Sequence, residues 1–373
     1  MKTSWASLLS VSFAILQCAN AVSATRKCKS IEVRKEWRAL SRKEKKAWID
    51  AVNCLNRTPR SGNLKPPLNM SDYPFYDYIV PESPEGTYYD ELVYVHMNLN
   101  PIIHLTGLFL PWHRLYVHEW TNALRSKCGY KGVAPYAIDF ENSSIWDPDP
   151  EVGLGGFGDP NDDNTVKTGG LNLTVTYPML AFNPLIHEIF LRQFSSAHKL
   201  RRNYQPLPFA SIPGYETLQA NLTFTPAEIQ KLLAQPNGNF TSFQYYMEKG
   251  DGMHSAVHGI TGGDLAGLCP RGSNSSTCPF EGTPTFSPNE PMFQLHHGNV
   301  DRLWWLWQEK SLLNKFAFHG GSVQNFSDLV QFPNGGAPWL NTTDLIPTAG
   351  MFTSVSIGDI LDTRSPPLCY IYE

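Results

Sequence analysis

The sequence predicts a mainly α-helical protein with long loops and a few short strands. Apolar residues recur at helical spacing in several segments, with charged residues between them. Stretches rich in Gly, Pro, Asn and Asp separate these segments and are typical of loops. Because no internal repeat and no long linker divides the chain, a single domain is the simplest arrangement for its 373 residues.

The N-terminus predicts export from the cell. Lys2 is followed by a mostly apolar run over residues 5–16 and by small residues at 19–24. This order is typical of a secretory signal peptide, and the apolar run is too short to span a bilayer. We expect residues 1–24 to be the signal peptide, with cleavage after about residue 21–24. Residues 25–373 would then form one domain that is secreted to the extracellular space.

Cysteines and glycosylation motifs agree with export. Cys18 lies in the predicted signal peptide and leaves six cysteines, which suggests three disulfides without fixing their pairing. Nine Asn-x-Ser/Thr motifs predict N-linked glycans on the surface. The formal net charge of −4 gives no reason to expect a nucleic acid or an anionic membrane as partner. None of these features predicts the oligomeric state.

The N-terminal half contains three predicted helical regions. Residues 31–53 have the pattern of a surface helix pair that is divided near Ser41. Ser41 and Glu44 match a capping box, which favours a helix start at this point. Two further helices are predicted over residues 88–98 and 113–127, the second favoured by Pro111.

The rest of the chain contains a long loop and four predicted helices. Residues 141–170 are rich in Gly, Asp and Pro, and a loop of this length in a compact domain is often functional. The helices are predicted over residues 184–194, 226–234, the end of 243–260, and 289–309.

Six of the 11 histidines fall in a regular pattern. His254 and His258 are four residues apart on a predicted helix, so both rings can bind one metal ion. His296 and His297 differ by about 100° around a helix, so only one of them faces a given ion. Asp301 lies four residues after His297 and is predicted to accept a hydrogen bond from its second ring nitrogen, which favours His297 as the ligand. The remaining group is His96, His104 and His113.

Ligation by imidazoles alone narrows the choice of metal. Neutral nitrogen donors suit Zn, Cu, Fe or Ni, whereas Mg and Ca prefer oxygen. The His-Glu-x-x-His motif of zinc proteases is absent from the sequence, since Ser255 follows His254. A single buried histidine is usually an ordinary core residue, but two groups of three are harder to explain in that way. A helical bundle can hold two metal ions between facing helices.

Three motifs carry a specific resemblance: HxxGxFxPWHR at 104–114, HxxxH at 254–258 and HHxxVDRxW at 296–304. Together they resemble the tyrosinase/catechol oxidase family of type-3 copper proteins, and the chain is similar to the short secreted fungal polyphenol oxidases. The resemblance extends from about residue 28 to the C-terminus. It implies a central antiparallel four-helix bundle that holds a dinuclear copper site.

The resemblance also implies the copper ligands. His96, His104 and His113 would bind the first copper ion (CuA), and His254, His258 and His297 the second (CuB). His296 would order the site. Many fungal relatives join the second CuA histidine to a cysteine two residues earlier, but Ile102 stands there, so we expect no such crosslink. Phe109, Trp112 and Phe293 are the expected walls of the substrate pocket, with residues 284–286 near its entrance.

The activity implied by the resemblance is the oxidation of small phenols by O2 as co-substrate. We expect o-diphenols to become o-quinones while O2 is reduced to water, with o-aminophenols and methoxyphenols as further candidates. One alternative is a full tyrosinase that also hydroxylates monophenols. Another is an oxygen carrier like hemocyanin, which would need a domain covering the site. Because the chain ends shortly after Tyr370-x-Tyr372, which resembles the motif closing the catalytic core, we expect no C-terminal capping domain.

Two further residues bear on monophenols. In tyrosinases, a Glu before the CuB helix and an Asn after its first histidine are thought to hold a water that accepts the phenol proton. Glu248 matches that Glu, whereas Ser255 stands in place of the Asn. A serine hydroxyl is shorter and presents one donor instead of two, so we expect weak or absent hydroxylation of monophenols.

The resemblance also supports a set of disulfides. Cys54–Cys128 and Cys28–Cys369 are the expected long-range pairs, the latter joining the two ends of the mature chain. The short separation between Cys269 and Cys278 predicts that they pair with each other. Arg34 is expected to reinforce the closure of the ends by stacking on Tyr370 or Tyr372.

Overall fold

The computed structural model describes residues 27–73, 81–82, 84–177, 181–183, 188–190, 194–211, 213–267 and 284–373. The predicted signal peptide and the predicted Cys269–Cys278 disulfide lie outside these residues. Within them, no helix is long and apolar enough to cross a membrane.

Helices form most of the regular structure. They are α1 (Arg42–Leu55), α2 (Tyr88–Ile103), α3 (Phe109–Cys128), α4 (Pro226–Leu233), α5 (Phe240–Glu248), α6 (Met253–Thr261), α7 (Gly263–Ala266), α8 (Met292–Gln308) and α9 (Leu312–Lys315). The strands are short: β1 (Glu32–Arg34), β2 (Thr174–Tyr177), β3 (Ala181–Asn183), β4 (Glu188–Phe190), β5 (Phe194–Lys199), β6 (Gly321–Val323), β7 (Gly336–Trp339) and β8 (Tyr370–Tyr372). The predicted fold class is therefore confirmed.

Helices α2, α3, α6 and α8 occupy the centre of the molecule. Most residues of α2 and α8 are buried, including apolar residues on nearly every face of these helices. Helices that are apolar all round are stable only inside a core. A capping box at Thr87 and Asp90 begins α2, and Gly129 in the left-handed conformation ends α3. Both helices are longer than the segments predicted from the sequence.

Helix α1 is amphipathic and covers one side of the core. Trp48 on its buried face lies 5.9 Å from Trp120 of α3, measured between ring centroids. The capping box of Ser41 and Glu44 is confirmed. The first half of the predicted helix pair is wrong, because residues 32–34 form β1 and residues 37–39 form a 3-10 turn. Pairing of β1 with the distant β8 overrides the local helical pattern.

The predicted helix over residues 184–194 is also wrong where the structure describes it. Strand β4 pairs antiparallel with β3, and β5 pairs antiparallel with β2. A short apolar pattern cannot by itself distinguish a strand from a helix. By contrast, the predicted helices near 226–234, 253–260 and 289–309 are confirmed as α4, α6 and α8.

The long loop at 141–170 contains only brief 3-10 turns. The buried guanidinium of Arg202 donates to the backbone carbonyls of Leu154 and Gly155 in this loop. The same guanidinium forms two hydrogen bonds with the carboxylate of Glu290, at 2.8 and 3.0 Å. Glu290 lies two residues before the start of α8, so this ion pair fastens the loop to the helix that carries His296 and His297.

The two ends of the described chain meet on one side of the core. Strands β1 and β8 run parallel, and the Cys28–Cys369 disulfide lies beside them. The guanidinium carbon of Arg34 is 3.4 Å from the centroid of the Tyr370 ring, as predicted. The predicted Cys54–Cys128 disulfide is confirmed and joins α1 to the end of α3.

Candidate metal centre

Seven histidines of the central helices form two adjoining groups. The first group is His96 on α2, His104 directly after α2, and His113 on α3. The second is His254 and His258 on α6 with His296 and His297 on α8. Within each group, the ring nitrogens available as ligands lie within 4.8 Å of one another. This spacing fits a group of nitrogen donors around one metal ion.

The two groups face each other across a short distance. The rings of His113 and His297 are nearly parallel, with 4.3 Å between their centroids. The ring of His104 is 6.2 Å from that of His254. Metal ions held by the two groups would therefore be close neighbours in one site.

Backbone hydrogen bonds orient two of the imidazoles. Nδ1 of His113 bonds to the carbonyl oxygen of Phe109 at 2.7 Å, and Nδ1 of His258 bonds to that of Leu265 at 3.0 Å. A carbonyl can only accept, so Nδ1 carries the proton and Nε2 presents a lone pair. These Nε2 atoms are buried and have no hydrogen-bond partner among the described residues. A buried lone pair held in this way is suited to a metal ion.

Burial keeps these histidines neutral. It lowers the pKa of His104 to about 3 and that of His258 to about 4, with a smaller contribution from the charge of His258 on His104. For His113, His254 and His297, burial and then the neighbouring imidazoles hold the pKa well below the usual 6.5. Metals bind the neutral imidazole, so these rings are in the ligand form at neutral pH.

His296 and His297 differ in what they face. His297 contacts the first group through His113, and both of its ring nitrogens are without hydrogen-bond partners in the described part of the chain. The ring of His296 lies 5.4 Å from His254 and beside a separate small cavity that is lined by Met253 and Met292. The geometry therefore favours His297 for a site shared by both groups.

Asp301 does not accept a hydrogen bond from His297, so this prediction is wrong. Its carboxylate points away from the histidines and bonds to the guanidinium of Arg114 and to the hydroxyls of Tyr370 and Tyr372. Arg34 lies 3.4 Å away. Burial raises the pKa of Asp301, but the two arginines and two hydroxyls outweigh it, and the pKa lies below its usual value. Asp301 thus connects α8 with α3 and the two chain ends.

The segment that carries His104 is held by polar side chains rather than by a helix. Leu105 has a φ of 50°, a left-handed conformation that is unusual for leucine. Its N–H donates to Glu248 at 2.6 Å. Gln244 donates to the carbonyl of Thr106 at 2.7 Å and to Glu248 at 3.0 Å. Gln244 was not predicted from the sequence, where its only signal is its position four residues before Glu248 on α5.

Two further contacts fix this segment from the opposite side. Gln324, which was also not predicted from the sequence, donates to the carbonyl of His104 at 3.0 Å. A side-chain carbon at Gly107 would lie 3.0 Å from the backbone of Gly320. The glycine of the HxxGxF motif is therefore required by the close approach of two backbone segments.

A cavity of about 610 Å³ opens onto the histidines. It is lined by His104, His254, His258, Glu248 and Ser255, so both predicted residues for proton transfer lie in the same space. Its lining also includes the aromatic and apolar side chains of Phe209, Tyr215, Tyr245, Phe326 and Leu329.

The three aromatic residues that were predicted to form the pocket walls do not line the cavity, so this prediction is wrong. Phe109 and Phe293 pack behind the histidines, with Phe109 4.8 Å from His254 and Phe293 4.0 Å from His297. Trp112 packs with its indole against His113 and is likewise buried outside the cavity lining. The cavity entrance was expected near residues 284–286. Ser287, one residue beyond this range, lines the cavity.

Glu248 is not a surface carboxylate beside Lys249. It is buried, and burial raises its pKa well above the usual 4.5, although the hydrogen bonds from Leu105 and Gln244 act in the opposite direction. A raised pKa makes the ionised carboxylate a stronger base. Glu248 therefore has both the position and the basicity to receive a proton within the cavity.

Comparison with known proteins agrees with this geometry. The common central domain of tyrosinase matches residues 86–310. A tyrosinase-like protein of Diaporthe leptostromiformis is 28% identical over 364 residues, which are 93% of this chain and 81% of the relative. The N-acetyl-6-hydroxytryptophan oxidase of Emericella nidulans is 28% identical over 415 residues, covering 99% and 97% of the two chains. The structure of a polyphenol oxidase from Thermothelomyces thermophila has the same fold, with a TM-score of 0.61, 22% identity, and coverage of 92% and 89%.

Proposed function

Because the chain belongs to the tyrosinase family, whose members bind two copper ions, we propose that it oxidises o-diphenols to o-quinones. The supporting observation is the cavity that gives phenol-sized molecules access to two adjoining groups of neutral histidines. In the balanced reaction, two o-diphenols each lose two electrons and two protons, and one O2 becomes two water molecules.

We assign one copper ion to His96, His104 and His113, and the other to His254, His258 and His297. The buried lone pairs of His113 and His258 support this assignment, because burying such an acceptor without a partner costs free energy. When bound, the copper pair would supply the redox chemistry between the phenol and O2. The protein's own contribution is to hold the imidazoles in fixed orientations.

Glu248 and Ser255 are proposed to decide how monophenols react. A monophenol must lose its hydroxyl proton before hydroxylation, and Glu248 is the basic group in the cavity beside the histidines. Both of its oxygens already accept hydrogen bonds, from Leu105 and Gln244. Ser255 lines the same cavity and offers one donor, so a shared water is held less firmly than it would be by an amide. Oxidation of o-diphenols is therefore expected to dominate.

A full tyrosinase is the second candidate, and the buried, basic Glu248 is the observation that favours it. An oxygen carrier remains an outcome of the test below, since it would bind copper without consuming O2. For either enzyme, o-aminophenols and methoxyphenols are additional candidate substrates.

We further propose that the protein is secreted and glycosylated. The disulfides Cys28–Cys369 and Cys54–Cys128 support an oxidising compartment. Most described Asn-x-Ser/Thr asparagines are exposed or half-buried. Asn56 is the exception among them, because its buried amide bonds to Thr174. Glycans are thus expected at the other motifs and not at Asn56.

Replacement of His258 by alanine tests the function. We expect this variant to lose one of the two copper ions and its oxidation of catechol, because one ion is left with two protein ligands. Copper content and O2 uptake are the measurements. His319→Ala is the matched control, since His319 is exposed and belongs to neither group. Full activity of His258→Ala would contradict the assignment.

A further inference from the structure

The cavity is much larger than one phenol ring requires. Its volume is about 610 Å³, and cavities of about 300–1,000 Å³ usually hold drug-sized ligands. A single catechol placed at His104 and His254 would leave most of this space to water. The outer part of the cavity is therefore available to a substituent of the phenol.

Aromatic side chains form this outer part. Phe209 is buried at the cavity wall, whereas Tyr215 and Tyr245 are 38% and 36% exposed. Exposed aromatic rings next to a cavity lose unfavourable contact with water when a ligand covers them. The surface offered to the substituent is mainly apolar, and flat rings would pack on it.

The charged groups of the lining already have polar partners. Lys249 lies 3.2 Å from the carboxylate of Asp251, and its ammonium also approaches the ring of Tyr246. Both oxygens of Glu248 accept hydrogen bonds, from Leu105 and Gln244. A charged substituent would lose its hydration in this cavity and would have to compete with these partners.

From these contacts we propose that the preferred substrate is a bulky o-diphenol whose ring carries an uncharged aromatic or large apolar substituent. The substituent packs on Tyr215 and Tyr245 while the hydroxyls face the histidines. This inference rests on the proposed function, because it presumes that o-diphenols are oxidised. Free amino-acid diphenols, which carry two charges, are poor substrates on this account.

Steady-state O2 uptake with three substrates tests the proposal: catechol, 4-phenylcatechol and dopa. We expect kcat/KM for 4-phenylcatechol to exceed that for catechol by about tenfold or more, and dopa to be the slowest. Tyr215→Ala and Tyr245→Ala should each raise KM for 4-phenylcatechol several-fold more than they raise KM for catechol. Tyr204→Ala is the control, because Tyr204 is an exposed aromatic residue outside the cavity lining.

The outcomes separate this inference from the proposed function. If no o-diphenol is oxidised, the proposed function is wrong. If catechol and dopa are oxidised as efficiently as 4-phenylcatechol, the function stands and the substrate class is overturned. Equal effects of the Tyr215 and Tyr204 substitutions on 4-phenylcatechol would also overturn it.

Discussion

Single side chains determine which imidazoles can bind metal. Helix geometry predicts that only one of His296 and His297 faces a given ion, yet ring nitrogens of both lie within 4.8 Å of those of His254 and His258. The choice of His297 as the ligand therefore stays a prediction. The reason given for it was wrong, because Asp301 bonds to Arg114 and the two tyrosines instead. A spacing of four residues places two side chains on one face of a helix. It does not show whether a residue from a distant segment will form the hydrogen bond instead.

Substitution of the adjacent histidines tests this choice. We expect His297→Ala to lose one copper ion, because it removes a ligand that faces both groups. His296→Ala should retain both ions, since the ring of His296 lies beside a separate small cavity. Elemental analysis of the two purified variants is the measurement. Loss of copper from His296→Ala with full retention in His297→Ala would reverse the assignment.

Ser255→Asn tests the proposed limit on monophenols. An amide at this position offers two donors to a water shared with Glu248, so the ratio of monophenol to o-diphenol rates should rise. The increase can reach about a hundredfold, the low end of what a positioned base contributes. Rates with tyramine and dopamine measure this ratio, and Ser126→Asn, at an exposed position of α3, is the control. An unchanged ratio would show that Ser255 does not limit hydroxylation.

At the scale of elements, the long helices were predictable and the short strands were not. Helices α2, α3 and α8 have long apolar patterns and recognisable starts or ends. Strands β1 and β8 have three residues each, and their stability depends on each other and on Asp301. Partners that are far apart in the sequence leave no local periodicity. For the same reason, the role of α5 in holding the segment at His104 was not predicted.

Asp301 connects these elements, and its replacement by asparagine should be strongly destabilising. The change removes the counter-charge of buried Arg114 and leaves buried Arg34 with only Glu32, 3.9 Å away; breaking a buried ion pair typically costs about 3–5 kcal/mol of unfolding free energy. Denaturant unfolding measures the loss. Lys46→Ala, which breaks a pair at the exposed surface, should leave the unfolding free energy unchanged. Similar stability of Asp301→Asn and the parent would contradict this role.

The contribution of Asp301 to the free energy of unfolding should also depend on pH. Its pKa is lower in the folded protein than in the unfolded chain. The stabilisation is therefore complete above the unfolded value of about 4 and is lost as the pH falls below it. The difference in stability between the parent and Asp301→Asn should shrink as the pH is lowered through this range.

At the scale of the whole molecule, three contacts that reinforce one another hold the two ends of the described chain together. They are the pairing of β1 with β8, the Cys28–Cys369 disulfide and the buried cluster at Asp301. The fold class and both long-range disulfides were predicted, because the three histidine motifs resemble a family with this architecture. The substrate cavity was predicted less well: its walls come from loops and from α5, whose positions depend on packing rather than on local sequence.

Copper content and O2 uptake, measured on one preparation, decide whether the protein is a copper-dependent oxidase. We expect two copper ions per chain, one for each histidine group. We also expect one O2 to be consumed for every two molecules of catechol converted to o-quinone. Zinc in place of copper, or two copper ions that bind O2 reversibly without oxidising catechol, would contradict the proposed function.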